Sequence, residues 1–371
     1  MGQGPCSTAS EATSARLASR LPLRCPDSTW AASSDGRWRW AVDADAWNPP
    51  GGSTSAQFGF LLGLLPDGDE RTGVVRFPAS ADAKRCLLGR LLAHRACACA
   101  LGHDNFEGFQ IGRTHGQKPF LRCPLPPGLP NFNFNVSHDG RWVVLASDPL
   151  RLVGADVSAP QRARGDAEDE RWRDDLATML SDKEKSYIEM KDTALDRYSI
   201  FQRIWSAKES VAKAVGQGLD YGLERIEVTL DGTEPQSQWS LTDWLGPSDA
   251  SEEASVSEVD AKPKRLEMHW ASVDIDMWPR PDWDLQQQAL SDNHWCTVAL
   301  GPIEEAVDQI GEFRSTLRLP AVDEAARNLL AETAPEERNP RFQVLPIPAL
   351  VPRAFVDAYA AMLNVQNGQL F

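Results

Sequence analysis

Three short stretches carry the residue types that could do chemistry. They are Asn135-Val136-Ser137-His138, Gly154-Ala155-Asp156-Val157, and Lys208-Glu209 with Lys213 further along. Asp156 offers a carboxylate, a hard oxygen ligand of the kind that holds Mg²⁺. The lysines, the histidine and the serine hydroxyl can all donate hydrogen bonds to phosphate oxygens. A metal on Asp156, with Ser137 and His138 as donors, suits the holding of a pyrophosphate. Each residue alone also has a plainer reading. Glu209 and Lys213 stand at i and i+4, the spacing of an ordinary surface salt bridge. His138 can be a turn or core residue, and Asp156 can cap a turn.

Period-two alternation of Phe132, Phe134 and Val136 with Asn131, Asn133, Asn135 and Ser137 predicts a strand. Asp139-Gly140 is a hairpin signal. Trp142–Ser147 and Arg151–Val157 read as the next two strands of a meander, with a turn at Asp148-Pro149-Leu150. With Asp139-Gly140 as the two-residue turn, Ser137 faces Trp142, and Trp142 faces Asp156. That threading puts Ser137 and Asp156 about 10 Å apart on one sheet face, two strand spacings, with His138 beside them. Such a gap suits a pyrophosphate held by Ser137 and His138 at one end and by a metal on Asp156 at the other.

A helix over Asp196–Val215 carries Glu209 and Lys213. Its apolar stripe is Phe201, Ile204, Trp205, Val211, Ala212 and Val215, with Lys208 in the middle. A buried lysine is costly unless paired, and otherwise its ammonium snorkels to water. An earlier helix over Ala81–Ala100 has Leu87, Leu88, Leu91 and Leu92 on one face. Other expected strands are Trp38–Val42, Phe58–Leu61, Gly108–Arg113, Arg225–Leu230, Trp239–Trp244, Leu266–Val273 and His294–Leu300. Further helices are expected over Trp172–Ile188, within 303–331 and over Ala354–Leu363. The acidic stretch 247–263 reads as a flexible insertion.

The 371 residues are 42% hydrophobic and 25% charged, as in globular proteins, with a net charge of −15. An acidic chain repels nucleic-acid backbones, so a nucleic-acid partner is not expected, and an anionic ligand needs a local basic cluster or a metal. Seven cysteines without a CxxC pair read as free thiols of a reducing compartment. No apolar run has the length of a membrane span. Residues 1–25, rich in Ser, Ala and Arg, read as a disordered tail or a transit peptide. The expected location is therefore the cytoplasm, with the mitochondrion as the alternative.

Together, Pro130-Asn-Phe-Asn-Phe-Asn-Val-Ser-His138, Val153-Gly-Ala-Asp-Val157 and Trp205-Ser-Ala-Lys-Glu209 with Lys213 resemble the ordered motifs of Sfp-type 4′-phosphopantetheinyl transferases. The likeness is strongest to the eukaryotic branch named for L-aminoadipate-semialdehyde dehydrogenase, and it runs from about residue 36 to 300. Arg113-Thr-His-Gly-Gln-Lys-Pro119 resembles the family's Arg-Thr…Gly-Lys-Pro segment, with Gln117 where the family has Gly. The resemblance implies an α+β fold: two similar subdomains with mainly antiparallel sheets, related by a pseudo-two-fold, with coenzyme A in the cleft. It divides the chain into a tail (1–28), subdomains at 29–147 and 148–302, and an extension (303–371). It implies that Arg71, Arg113 and Lys118 bind the nucleotide, and that Asn135, Ser137, His138 and Lys208 belong to the coenzyme site. Asp156 and Glu209 would ligate Mg²⁺, while Glu209 and Lys213 would be catalytic. Ser158 stands where bacterial members often carry a third acid, so water would complete the metal shell. The implied reaction moves phosphopantetheine from coenzyme A to a serine of an acyl or peptidyl carrier protein, releasing 3′,5′-ADP. Carriers of fatty-acid, polyketide or peptide synthesis, or an aminoadipate reductase, are candidates. A monomer is expected. The rival readings are a catalytically idle relative that binds coenzyme A or a carrier, and an interaction protein without either activity.

Overall fold

The computed structural model describes residues 35–77, 80–126, 128–160, 176–231, 268–318 and 340–366. Two mainly antiparallel sheets organise it. The first has the order β12-β1-β5-β4, and the second β6-β11-β10-β8-β7 with β9 beside β8. Their strands are β1 (Arg39–Asp43), β4 (Asn133–Asp139), β5 (Trp142–Asp148), β6 (Leu152–Ser158), β7 (Ile226–Leu230), β8 (Met268–Ile275), β9 (Trp278–Pro279), β10 (Asp284–Leu290), β11 (His294–Gly301) and β12 (Gln343–Val344). A small hairpin, β2 (Ile111–Arg113) and β3 (Pro119–Leu121), stands apart.

Each half lays one long helix across its sheet. In the first half, helix α3 (Ser80–Leu101) buries Leu87, Leu88, Leu91 and Leu92 against Phe134, Val143 and Leu145. In the second, helix α5 (Ala194–Val215) packs on β6 and β11 through Ile204, Val211 and Val215. Thr193 opens α5 by accepting the Asp196 amide, and Gly216 ends it at φ 93, a left-handed conformation that glycine adopts without steric penalty. The result is the expected pair of similar α+β halves.

Four expectations need correction. Phe58–Leu61 is helix α1 (Ala56–Gly63), not a strand: Ser55 caps it by accepting the Phe58 amide, and Phe58 and Leu61, three apart, share the buried face. The meander does not form. Asp139 pairs with Trp142, so the hairpin turns at Gly140-Arg141 and Ser137 faces Val144. β6 leaves that sheet altogether, and Asp156 pairs with Thr297 of β11. β10 was not expected, because Asp-Leu-Gln-Gln-Gln-Ala-Leu looks polar. Gln287 is nonetheless fully buried, donating to Arg203 O and Thr297 Oγ1 and accepting from Arg203 Nε.

Ile303, Ala306, Phe313 and Leu317 still pack in the second core, and residues 340–366 return to the first half. β12 pairs in parallel with β1, and Leu345, Leu350 and Val351 enter the first core. Phe342 sits between the two sheets among Trp142, Val144, Val153 and Val298. The last helix is α7 (Val356–Gln366). The helix expected over Trp172–Ile188 is shorter within the described residues: after a 3-10 turn at Ala177–Met179, α4 (Asp182–Glu189) starts at a Ser181–Glu184 capping box. The 1–28 tail, Trp239–Trp244, the 247–263 insertion and residues 319–331 lie outside the described residues. No helix among the described residues is long and apolar enough to cross a membrane.

Candidate active site

The alternation of β4 has a purpose beyond burying one face. Phe134 and Val136 point to the α3 core. The polar positions point the other way, to β6. Asn133 Oδ1 accepts the Val153 amide (3.0 Å), Asn135 Oδ1 the Ala155 amide (3.0 Å), Ser137 Oγ the Val157 amide (3.3 Å) and Asp139 Oδ2 the Ala159 amide (2.8 Å). β4 and β6 are edge strands of different sheets. An edge leaves backbone groups unpaired, and here four side chains of β4 satisfy those of β6. The two halves are thus joined by a ladder of side-chain rungs.

The ladder brings Ser137 and Asp156 into contact rather than about 10 Å apart. Ser137 Oγ donates to Asp156 Oδ1 at 3.0 Å. Lys213 Nζ lies 2.5 Å from the same carboxylate oxygen, 3.3 Å from Ser137 Oγ and 3.8 Å from Glu209 Oε2. One ammonium therefore touches both carboxylates proposed as metal ligands. Burial pushes the Glu209 pKa up, Asp156 adds to the rise, and Lys213 opposes it. Burial disfavours the Lys213 charge, but Asp156 and Glu209 outweigh it and the lysine pKa is raised.

This arrangement needs α5 close to β6. Gly154 permits it, since a Cβ there would collide with Ser210 O and the Ala214 amide. Ser206 Oγ donates to Asp156 O (3.1 Å), and Gln202 Nε2 to Ser158 O (3.0 Å), pinning the strand to the helix face that also carries Glu209 and Lys213. Neither Ser206 nor Gln202 was singled out from the sequence. Their i, i+4 spacing ahead of Glu209 and Lys213 was the available signal.

Above this cluster a cleft of about 720 Å³ opens between the halves. Of the residues expected at the site, Arg113, Lys118, Asn135, His138, Glu209 and Lys213 line it. Ser137 and Asp156 adjoin through their bonds to Lys213. The cleft adds Arg76 and Arg90, which resemble solvated helix charges in the sequence. Desolvation, followed by the Arg90 and Arg76 charges, lowers the Arg113 pKa, so the three guanidiniums form one basic cluster. The His138 ring is open to the cleft but crowded by protein. That desolvation, with Arg85 and Lys213 nearby, lowers its pKa and favours the neutral imidazole.

Two expected residues lie elsewhere. Arg71 folds back on its own loop, donating to Leu65 O (2.8 Å) and Gly63 O (2.9 Å) and pairing with Asp67, and it does not line the cleft. Lys208 is fully buried under α5, bonded to Glu184 Oε2 (2.8 Å), Met179 O, Leu223 O and Ile226 O. It holds secondary structure together rather than a cofactor. Lys118 is a third surprise. It lines the cleft, yet its ammonium turns inward to Val153 O and over the Phe313 ring, and burial lowers its pKa to about 7. Gln117 beside it adopts φ 66, the left-handed region where the family's Gly would be at ease. Gly116 is held by packing instead, because a Cβ there would strike Gly216 O and Gln217.

Asp156 and Glu209 suit Mg²⁺. Both approach one cationic position, and among the described residues no group of three or more His, Cys, Asp or Glu could hold a metal. Two carboxylates completed by phosphate oxygens and water are a normal Mg²⁺ environment.

Paired α+β halves meet at a basic cleft over a carboxylate–lysine cluster. Residues 45–150 match the family model described as 4′-phosphopantetheinyl transferase, N-terminal, and residues 152–258 match the 4′-phosphopantetheinyl transferase superfamily. A phosphopantetheinyl transferase of Thraustochytrium sp. is 32% identical over 251 residues, covering 66% of this chain and 82% of that one. The chain belongs to this superfamily. The L-aminoadipate-semialdehyde dehydrogenase-phosphopantetheinyl transferase of Xenopus laevis is 33% identical over 192 residues, 52% of this chain and 61% of its own length. A 4′-phosphopantetheinyl transferase of Bacillus subtilis is 32% identical over 162 residues, 44% of this chain and 65% of its own. The matches to these last two thus span less than two thirds of the relative's length.

Proposed function

We propose that this protein transfers the 4′-phosphopantetheine group of coenzyme A to a serine hydroxyl of an acyl or peptidyl carrier domain. The serine oxygen forms a bond to phosphorus, the bond to 3′,5′-ADP breaks, and the hydroxyl proton passes to Glu209 directly or through a water. The observation that carries this reading is the convergence of Ser137, Asp156, Glu209 and Lys213 beside a cleft that also bears Arg76, Arg90 and Arg113. The arginines suit the nucleotide phosphates, and neutral His138 suits donation to the pyrophosphate. Lys213 offsets charge on the departing group. Asp156 and Glu209 would hold Mg²⁺, which when bound supplies Lewis-acid neutralisation of the phosphate oxygens. Free thiols at Cys86, Cys97, Cys99, Cys123 and Cys296 support a reducing location such as the cytoplasm.

The test is intact mass spectrometry of an apo acyl carrier protein incubated with the full chain, coenzyme A and Mg²⁺. A gain of one phosphopantetheine is expected, absent with EDTA or Glu209→Gln. Bound coenzyme A without any gain across several carriers would favour an idle relative. Neither gain nor binding would overturn the assignment.

A further inference from the structure

A second chamber, of about 630 Å³, lies in the first half behind a wall that it shares with the cleft: Asp69, Glu70 and Ile111 line both. Nothing in the proposed transfer uses it. Phe106, Phe109 and Phe355 supply its aromatic surface, the last from the returning tail. His94 of α3 also lines it, with ring centroids 5.4 Å from Phe106 and 5.7 Å from Phe109. This histidine is 1% exposed, and neither ring nitrogen has a hydrogen-bond partner. Glu70 Oε2 lies 3.7 Å from Nε2, an ion-pair distance for a protonated ring but too long for a hydrogen bond. A buried imidazole without a partner costs stability, and a ligand that reaches it recovers that cost.

The charges around the chamber give the sign of that ligand. Asp67 is offset by Arg71, and Glu70 by Arg90 at 2.6 Å. Asp69 and Glu107 also line the chamber, and no basic side chain among the described residues pairs with either. The lining therefore carries surplus negative charge beside aromatic rings whose faces attract cations. We propose that this chamber binds a small organic cation with an apolar body, a protonated amine carrying an aromatic or branched aliphatic group. The ammonium meets Asp69 and Glu70 and donates to His94, while the body fills the space between the phenylalanines. Glu70 also holds Arg90, which lines the cleft. An ammonium competing for Glu70 frees Arg90 for phosphate, so a bound amine tightens the cleft's hold on a phosphorylated nucleotide, and the nucleotide tightens the amine reciprocally. This coupling, unlike the chamber itself, rests on the coenzyme A reading.

The experiment is calorimetric titration of the full chain with benzylamine, benzyl alcohol and benzoate. Benzylamine is expected to bind about tenfold more tightly than benzyl alcohol, with benzoate not binding. His94→Leu and Asp69→Asn, the latter at an exposed position, should each weaken benzylamine about fivefold. Saturating 3′,5′-ADP should leave benzylamine bound and tighten it a few-fold. Equal affinity for the amine and the alcohol, indifference to Asp69→Asn, or displacement of benzylamine by 3′,5′-ADP would overturn the proposal. If 3′,5′-ADP itself does not bind, the coenzyme A reading fails, while the titrations without nucleotide still decide the chamber.

Discussion

Lys208 and Lys213 sit on the same helix, and each has a carboxylate within 2.8 Å, yet they do different work. The Lys208 side chain is 0% exposed and its partner Glu184 is equally buried. Glu184 is shared in turn, accepting the Ser181 amide of its own capping box and the Val228 amide of β7. Every group in that network faces protein, so it fixes α4, α5 and β7 relative to one another. Lys213 is 27% exposed and stands in the cleft wall. Its partners Asp156 and Glu209 come from β6 and its own helix, and both can turn to another cation that enters, leaving Lys213 for an anion. An ion pair with every valence used inside the protein is structural. One with a side open to a cavity is available for chemistry.

Substitution should separate the two most sharply. Lys208→Met leaves Glu184 buried without its counter-charge, and breaking such a pair costs roughly 3–5 kcal/mol. Urea unfolding should show that loss, together with loss of activity through unfolding. Lys213→Ala should leave the urea midpoint within about 1 kcal/mol of the parent, as for a partly exposed pair, and lower transfer about 10²–10³-fold at saturating coenzyme A. If both variants lost mainly stability, the distinction between them would collapse.

Lys118 sharpens the comparison, because it is buried like Lys208 but has no carboxylate. Its folded pKa, about 7, lies below its ordinary value of 10.5. Below pH 7 both folded and unfolded chains carry the proton, and the cost of burying the charge is fully present. Between about pH 7 and 10.5 the unfolded chain holds the proton more tightly, so stability rises with pH. Lys118→Met should flatten the rise in unfolding free energy between pH 7 and 9, whereas Lys213→Ala should not. The smallest effect belongs to its neighbour. Gln117→Gly relieves a left-handed residue and should raise stability by up to about 1 kcal/mol, read from the urea midpoint.

Much of the site was legible because its signals were local. The period-two polar positions of β4, the caps at Thr193 and Gly216, and the helical spacing of Glu209 and Lys213 can be read along the chain. Register and partner choice were not. Counting Asp139-Gly140 as the turn moved Ser137 by two positions along the hairpin, and assuming a meander put β6 in the wrong sheet. The resemblance puts Arg71 and Lys208 at the coenzyme, but their hydrogen bonds run to carbonyls and carboxylates of their own surroundings. Arg76 and Arg90 escaped notice because a helix arginine facing a cleft has the same sequence context as one facing water.

The sequence by itself determined which residues had to be polar on one strand and charged on one helix, because alternation and helical period follow from backbone geometry alone. It also determined the family, through ordered motifs. Only the tertiary structure decided that the polar strand would bond to the edge of another sheet, that Gly154 would let α5 close on Asp156, and that the tail would return to complete the first core. Those outcomes depend on which unpaired edge and which uncovered apolar face meet in space. That choice is made by the whole chain burying its surface at once, and no local window of residues contains it.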